Sequence, residues 1–290
     1  MSITILDGSI GQELVKRLGD DPTPLWSTQV MLKEPDMVQD VHARYFEVGA
    51  EIATMNTYPV LRDRLRNNDR EDAFEELHVT ASRLARAARD AHGSGLVASS
   101  LGPLGASYRP DLAPSAAEAA EAYAKIIALH DADADLHLVE TISGLRALEG
   151  VLEGVAGATK PVWLGLSVGD GDGTKLRSGE ALAECLPLID NYAPAAIMIN
   201  CSTPEAVSQA LPVIKDQGLP FGAYANGFTK ISDDFKVVNQ VVDTLEARTD
   251  LGPNAYADFC ETWAEMGATI IGGCCEVGPD HIAELKRRFS

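Results

Sequence analysis

The chain has 290 residues, of which 46% are hydrophobic and 23% charged, the proportions of a folding globular protein and not of a disordered one. Its 24 Lys and Arg against 43 Asp and Glu give a formal charge of −19, so a polyanionic nucleic acid is repelled by most of the surface and is not an expected partner. No run approaches the roughly twenty apolar residues that a bilayer span needs, and the first residues lack the basic start and apolar core of a signal peptide, so a cytoplasmic protein free of membranes is expected.

Short apolar, β-branched runs alternate with stretches of helical period from one end to the other. The predicted strands are Ile3 to Leu6, Glu51 to Met55, Leu96 to Ser100, Leu136 to Val139, Val162 to Leu166, Ala196 to Ile199, Phe221 to Tyr224 and Thr269 to Ile271. The predicted helices lie near Asp36–Val48, Glu71–Ala91, Ala116–Leu129, Leu145–Val155, Glu180–Ile189, Glu205–Lys215, Ala255–Met266 and Asp280–Arg288. Ser115, three residues before Glu118, has the spacing of a capping box, and Pro279-Asp280 opens the last helix. No Gly/Ser linker or low-complexity tract divides the chain, so one domain over residues 1–290 is expected.

Eight parallel strands alternating with helices is the count of a (β/α)₈ TIM barrel. A doubly wound open sheet is the rival, but Asp7-Gly8-Ser9-Ile10-Gly11 lacks the spacing of a dinucleotide-binding turn. The stretch from Gly227 to Pro253 is long for an ordinary loop and is expected to form a lid. Gly169 to Gly173 alternates Gly with Asp but lacks the rest of a calcium-binding loop, and reads as a flexible rim loop.

In a barrel the chemistry lies at the C-terminal ends of the strands. The residues there are Asp7-Gly8, Asn56-Thr57-Tyr58, Gly102-Pro103, Glu140-Thr141, Asn200-Cys201-Ser202, Asn226-Gly227 and Gly272-Gly273-Cys274-Cys275. Three of the five cysteines therefore fall at strand ends that share one barrel mouth. An odd cysteine count with two neighbours adjacent argues against a disulfide framework and for a reduced thiol site. Thiolates favour zinc, and three protein ligands leave a fourth tetrahedral position for a substrate. The glycines before Cys274 would let the backbone turn sharply. Burial as small apolar residues is the competing reading, preferred for Cys185 and Cys260; for Cys201, Cys274 and Cys275 position favours metal, while spacing alone leaves both open. The six histidines form no ligand spacing and read as surface or satisfied core residues.

Asp7-Gly8, Asn56-Thr57-Tyr58, Gly102-Pro103-Leu104-Gly105, Glu140-Thr141, Asn200-Cys201 and Gly272-Gly273-Cys274-Cys275 followed by Pro279 and Ile282 together resemble the homocysteine S-methyltransferases, in order and over essentially the whole chain. The resemblance implies a homocysteine-binding barrel with Zn²⁺ on Cys201, Cys274 and Cys275, and Asp7 and Glu140 facing the substrate ammonium. Backbone amides around Gly8 and the Thr57 hydroxyl are candidates for the substrate carboxylate. Without the resemblance Asp7 reads as a helix cap and Glu140 as a solvated loop acid. Trp26, in a Leu-Trp-Ser run like that of the S-methylmethionine-using branch, is a candidate wall for a cationic donor, or a Trp simply packed at the rim; Tyr58, Tyr108 and Asn226 are weaker candidates.

The expected reaction moves a methyl group from a small activated donor, a sulfonium by preference, to the homocysteine thiol, giving methionine. Another thiol or selenol acceptor, a corrinoid-borne methyl, or non-catalytic binding of homocysteine and zinc are the alternatives the residues leave open. With the last predicted helix close to Ser290, a barrel without the cobalamin and folate modules or long C-terminal arm of larger relatives is expected, as a monomer or small homo-oligomer. Its start departs from the family pattern: Ser9-Ile10-Gly11-Gln12 stands where a second Gly and a Thr are more usual.

Overall fold

The structure is a computed structural model that describes residues 2–21, 23–231 and 245–290. Its strands are β1 (Thr4–Ile5), β2 (Ile52–Thr54), β3 (Leu96–Leu101), β4 (Leu136–Ile142), β5 (Val162–Leu166), β6 (Val168–Gly169), β7 (Asp172–Leu176), β8 (Ala196–Asn200), β9 (Phe221–Tyr224) and β10 (Ile270–Ile271). Eight of them form one parallel sheet in the order β1-β10-β9-β8-β5-β4-β3-β2, and these are the eight predicted from the apolar runs. The sheet closes on itself where Leu6 bridges Ile52: Glu51 N–H donates to Ile5 O at 2.7 Å and Asp7 N–H to Ile52 O at 3.2 Å. A (β/α)₈ barrel results.

Period-2 alternation sorts the side chains. Along β8, Ala196 and Met198 join Leu6, Ile52, Leu138 and Ile270 inside the barrel, while Ile197 and Ile199 pack outward against the helices. Those helices are α1 (Ile10–Leu18), α2 (Ser27–Lys33), α3 (Pro35–Glu47), α4 (Arg62–Arg66), α5 (Phe74–His92), α6 (Ala116–His130), α7 (Leu145–Val155), α8 (Leu186–Tyr192), α9 (Pro204–Ile214), α10 (Pro253–Glu265) and α11 (Pro279–Phe289). The predicted capping box is present at α6: the Ser115 hydroxyl accepts from Glu118 N–H and the Glu118 carboxylate accepts from Ser115 N–H at 3.1 Å. Among the described residues no helix is long and apolar enough to cross a membrane.

Several expectations need correction. Glu71–Ala91 and Glu180–Ile189 were each expected as one helix, but each begins with a separate 3₁₀ turn, Glu71–Ala73 and Leu182–Cys185. Gly169 to Gly173 is not a flexible loop: it turns the antiparallel β6–β7 hairpin, with Val168 paired to Leu176. Gly173 rests on α9, where an added Cβ would lie 2.0 Å from Ala206 O. Of the expected lid over 227–253, residues 232–244 lie outside the described residues. Its two flanks pair antiparallel through Phe228 and Ala247, with Thr229 N–H donating to Glu246 O at 2.9 Å.

Candidate metal and substrate site

At the strand ends the side chains enclose a cavity of about 150 Å³, whose lining includes Asp7, Trp26, Glu140, Cys201, Cys274 and Cys275. Cys201 follows β8 with a left-handed backbone (φ 46°), and its N–H donates to Tyr224 O at 3.1 Å. Cys274 follows β10, its N–H donating to Ala225 O at 2.9 Å. The glycines before it serve closeness, since neither has a positive φ. An added Cβ would lie 2.5 Å from Leu6 Cβ at Gly272 and 2.2 Å from a Val277 methyl at Gly273.

The three sulfurs lie within 4.8 Å of one another, with Cys201 and Cys275 at 3.8 Å. Zinc–sulfur bonds of about 2.3 Å in a tetrahedron separate sulfurs by about 3.8 Å, so this donor set fits such an ion. The Cys201 and Cys274 sulfurs lie in close contact, with a Cα–Cα distance of 5.5 Å that suits either a shared ion or a disulfide. Thiols gathered closely enough to share an ion are also close enough to bond to each other.

The turn bearing Cys274 and Cys275 is fastened to α1. Gln12 accepts from Glu276 N–H at 2.7 Å through Oε1 and donates to the Glu276 carboxylate at 2.6 Å through Nε2, holding a residue whose φ is 65°. Lys16 adds an ion pair to the same carboxylate at 3.0 Å. On the other side, the Tyr108 hydroxyl lies 3.0 Å from Cys201 Sγ, and Arg177 sits 4.7 Å from the Tyr108 ring centre while donating to Cys201 O at 3.1 Å. Trp26, Tyr108, Thr141, Cys201 and Glu276 are five of the seven non-glycine residues with positive φ among those described. Backbone strain is thus concentrated at this mouth, as at functional sites generally.

Two acids stand beside the thiols. Asp7 accepts from Thr54 N–H at 2.6 Å and from the Thr54 hydroxyl at 2.7 Å, and burial, with Glu140 nearby, pushes its pKa up to about 7. Glu140 accepts from the Ser100 hydroxyl, and burial likewise pushes it up to about 7. Its direction comes from an irregularity of β4 between Val139 and Ile142. There Thr141 takes φ 62°, and Asn200 holds it, accepting from Thr141 N–H at 2.9 Å and donating to the Thr141 hydroxyl at 3.0 Å. Gly8 to Gly11 line the cavity at the start of α1, where backbone N–H groups have no partner within the helix.

The sequence profile of the homocysteine S-methyltransferases matches residues 4–289. The chain belongs to that family. A homocysteine S-methyltransferase of Escherichia coli is 30% identical over 311 aligned residues, spanning 99% of this chain and 95% of its own. The metallated form of the homocysteine methyltransferase MmuM from Escherichia coli superposes with a TM-score of 0.83 at 27% identity, over 99% of this chain and 96% of that one. The oxidized form of MmuM also gives 0.83, at 28% identity and the same coverage.

For this homocysteine S-methyltransferase relative, the structure brings most of the predicted site residues to one cavity. Trp26 lines it with its ring laid on Gly11, where an added Cβ would lie 2.2 Å from a ring carbon. Tyr58 lines it too, hydrogen-bonded to Ser107 at 2.7 Å, with burial pushing its phenol up to about 12. Two candidates are not there. The Thr57 hydroxyl donates to Ser100 O at 2.7 Å and accepts from Ser100 N–H at 3.1 Å, so it fastens β2 to β3 instead of facing a substrate. Asn226 is fully buried outside the cavity lining, its Oδ1 accepting from Phe228 N–H at 3.2 Å. Cys185 and Cys260 are buried in helix packing, as expected. Sequence reasoning missed Thr54, Ser100, Gln12 and Arg177; the first two carry a faint signal, being polar residues in or at the ends of predicted strands.

Proposed function

We propose that the protein transfers a methyl group from a small sulfonium donor to the sulfur of homocysteine, giving methionine, with zinc on Cys201, Cys274 and Cys275. The observation that carries this reading is the convergence of three sulfurs and two buried carboxyls on one cavity. Asp7 and Glu140 receive the substrate ammonium: a cation between them favours the ionised form of both, against the burial that raises them. The backbone amides at Gly8 and the first turn of α1 receive the carboxylate, which leaves the thiol directed at the cysteine cluster.

Zinc, when bound, supplies a deprotonated substrate sulfur at neutral pH without a general base. The new bond joins that sulfur to the methyl carbon. The donor's carbon–sulfur bond breaks and its electron pair returns to the donor, which leaves as a neutral thioether. Trp26 and Tyr58 present aromatic faces to the onium group and keep water from it. A reducing cytoplasm, in which thiols persist, suits this chemistry.

The test combines reduced, zinc-loaded protein with homocysteine and S-methylmethionine, S-adenosylmethionine or betaine, measuring methionine alongside the metal content of the wild type and Cys201→Ala. Methionine from one donor, lost with the metal in Cys201→Ala, is the expected result. Wild-type protein that binds no zinc and yields no methionine with any donor overturns the proposal.

A further inference from the structure

The cavity lining holds three charged side chains that the reading above does not use, Asp63, Arg64 and Arg109, of which Arg109 is paired with Asp111. Arg64, on α4 at the rim beyond β2, lines the cavity half-buried, and its guanidinium has no hydrogen-bond or ion-pair partner among the described residues. Many arginines of this chain of charge −19 are matched with acids, such as Arg66 with Glu71, Arg89 with Asp135 and Arg248 with Glu205, and Arg70 and Arg83, which are not, are exposed to solvent, whereas Arg64 is not. A desolvated guanidinium is costly, and burial lowers the pKa of this one below the usual arginine value, more than the nearby Tyr58 and Asp63 restore it. A ligand anion is the partner that removes this cost.

Asp63 and Asn67 line the same stretch of cavity, and neither side chain has a hydrogen bond or ion pair among the described residues. The rim thus offers a cation, an anion and an amide within five consecutive residues of α4 and its C-terminus. The floor already holds a complementary set in Asp7, Glu140 and the amides of α1. One cavity therefore carries two sets of groups suited to zwitterions, one with Asp7 and the buried sulfurs Cys201 and Cys275, the other, Asp63, Arg64 and Asn67, more exposed.

We propose that Arg64 binds the carboxylate of the methyl donor in a bidentate pair, with Asp63 and Asn67 receiving an ammonium where the donor has one. This rests on the methyltransferase reading and assigns the donor its class: an onium methyl carrier with a carboxylate a few bonds from the methyl. A sulfonium amino acid and a trimethylammonium acid share that chemistry. Asp63 separates them, because only the former carries N–H bonds for it.

The experiment uses the zinc-loaded enzyme and measures both binding, by calorimetry, and turnover. S-methylmethionine, its carboxyl methyl ester and betaine are compared on the wild type, Arg64→Met, Arg64→Lys and Asp63→Asn, with zinc content and circular dichroism recorded for each. Arg64→Met is expected to weaken S-methylmethionine about 30-fold in dissociation constant and KM, leaving the ester, the KM for homocysteine and zinc content unchanged. Arg64→Lys recovers part of the loss, since it keeps the charge and loses the fork. Asp63→Asn weakens S-methylmethionine and not betaine.

An equal loss for acid and ester, a loss confined to homocysteine, or wild-type protein that binds neither acid donor overturns the assignment. Binding that depends on Arg64 without any methyl transfer upholds the assignment and overturns the methyltransferase reading instead. Betaine bound more tightly than S-methylmethionine, and weakened by Arg64→Met, upholds the carboxylate receptor and makes the donor a quaternary ammonium.

Discussion

Asp7 and Glu140 face opposite demands. Their pKa values rise from 3.8 and 4.5 to about 7, so the folded protein holds both protons more tightly than the unfolded chain does. The stability this contributes is complete below about pH 4 and is lost as pH rises through about 7. The ligand-free protein is therefore expected to melt at a lower temperature at pH 8 than at pH 5, and Glu140→Gln to flatten that dependence while raising the KM for homocysteine. Scanning calorimetry across that range checks both. These acids were legible because a carboxylate directly after an apolar run is conspicuous. Which threonine serves Asp7 was not: Thr54 and Thr57 are both near the end of β2, and only the turn of the chain there decides that one faces Asp7 and the other Ser100.

Asn200 and Gln12 act between elements. Asn200, which the sequence marks only as the neighbour of the expected metal ligand Cys201, ties β8 to β4 through the strained Thr141 and so aims Glu140. Asn200→Ala leaves the buried Thr141 N–H unmatched and is expected to destabilise the protein by about 1–3 kcal/mol in urea unfolding, with a higher KM for homocysteine. Gln12 fastens α1 to the turn of Cys274 and Cys275. Gln12→Ala is expected to speed zinc release to a chelator about 10-fold with little change in melting temperature. Short helices escaped the sequence reading because α2 and α4, of seven and five residues, leave no room for an apolar period to declare itself. The β6–β7 hairpin was hidden for another reason: its turn is Gly and Asp, and its strands draw on packing against α9.

At the scale of the whole molecule, the barrel was legible as a count of eight apolar runs separated by helices, since that rhythm survives errors at every boundary. Its closure was not, because nothing local tells Leu6 that it will meet Ile52. The joint between β1 and β2 is short, and one of its rungs is no backbone pair at all: Thr54 N–H donates to the Asp7 carboxylate at 2.6 Å. A residue proposed to grip the incoming amino acid thus also stitches the cylinder shut. Hydrogen–deuterium exchange at the Thr54 amide should slow when homocysteine enters, because an ionised Asp7 is the stronger acceptor. The same amide should exchange faster in Asp7→Ala. Occupancy of the pocket would then register along the length of the joint, giving a spectroscopic handle on acceptor binding that needs neither turnover nor a donor.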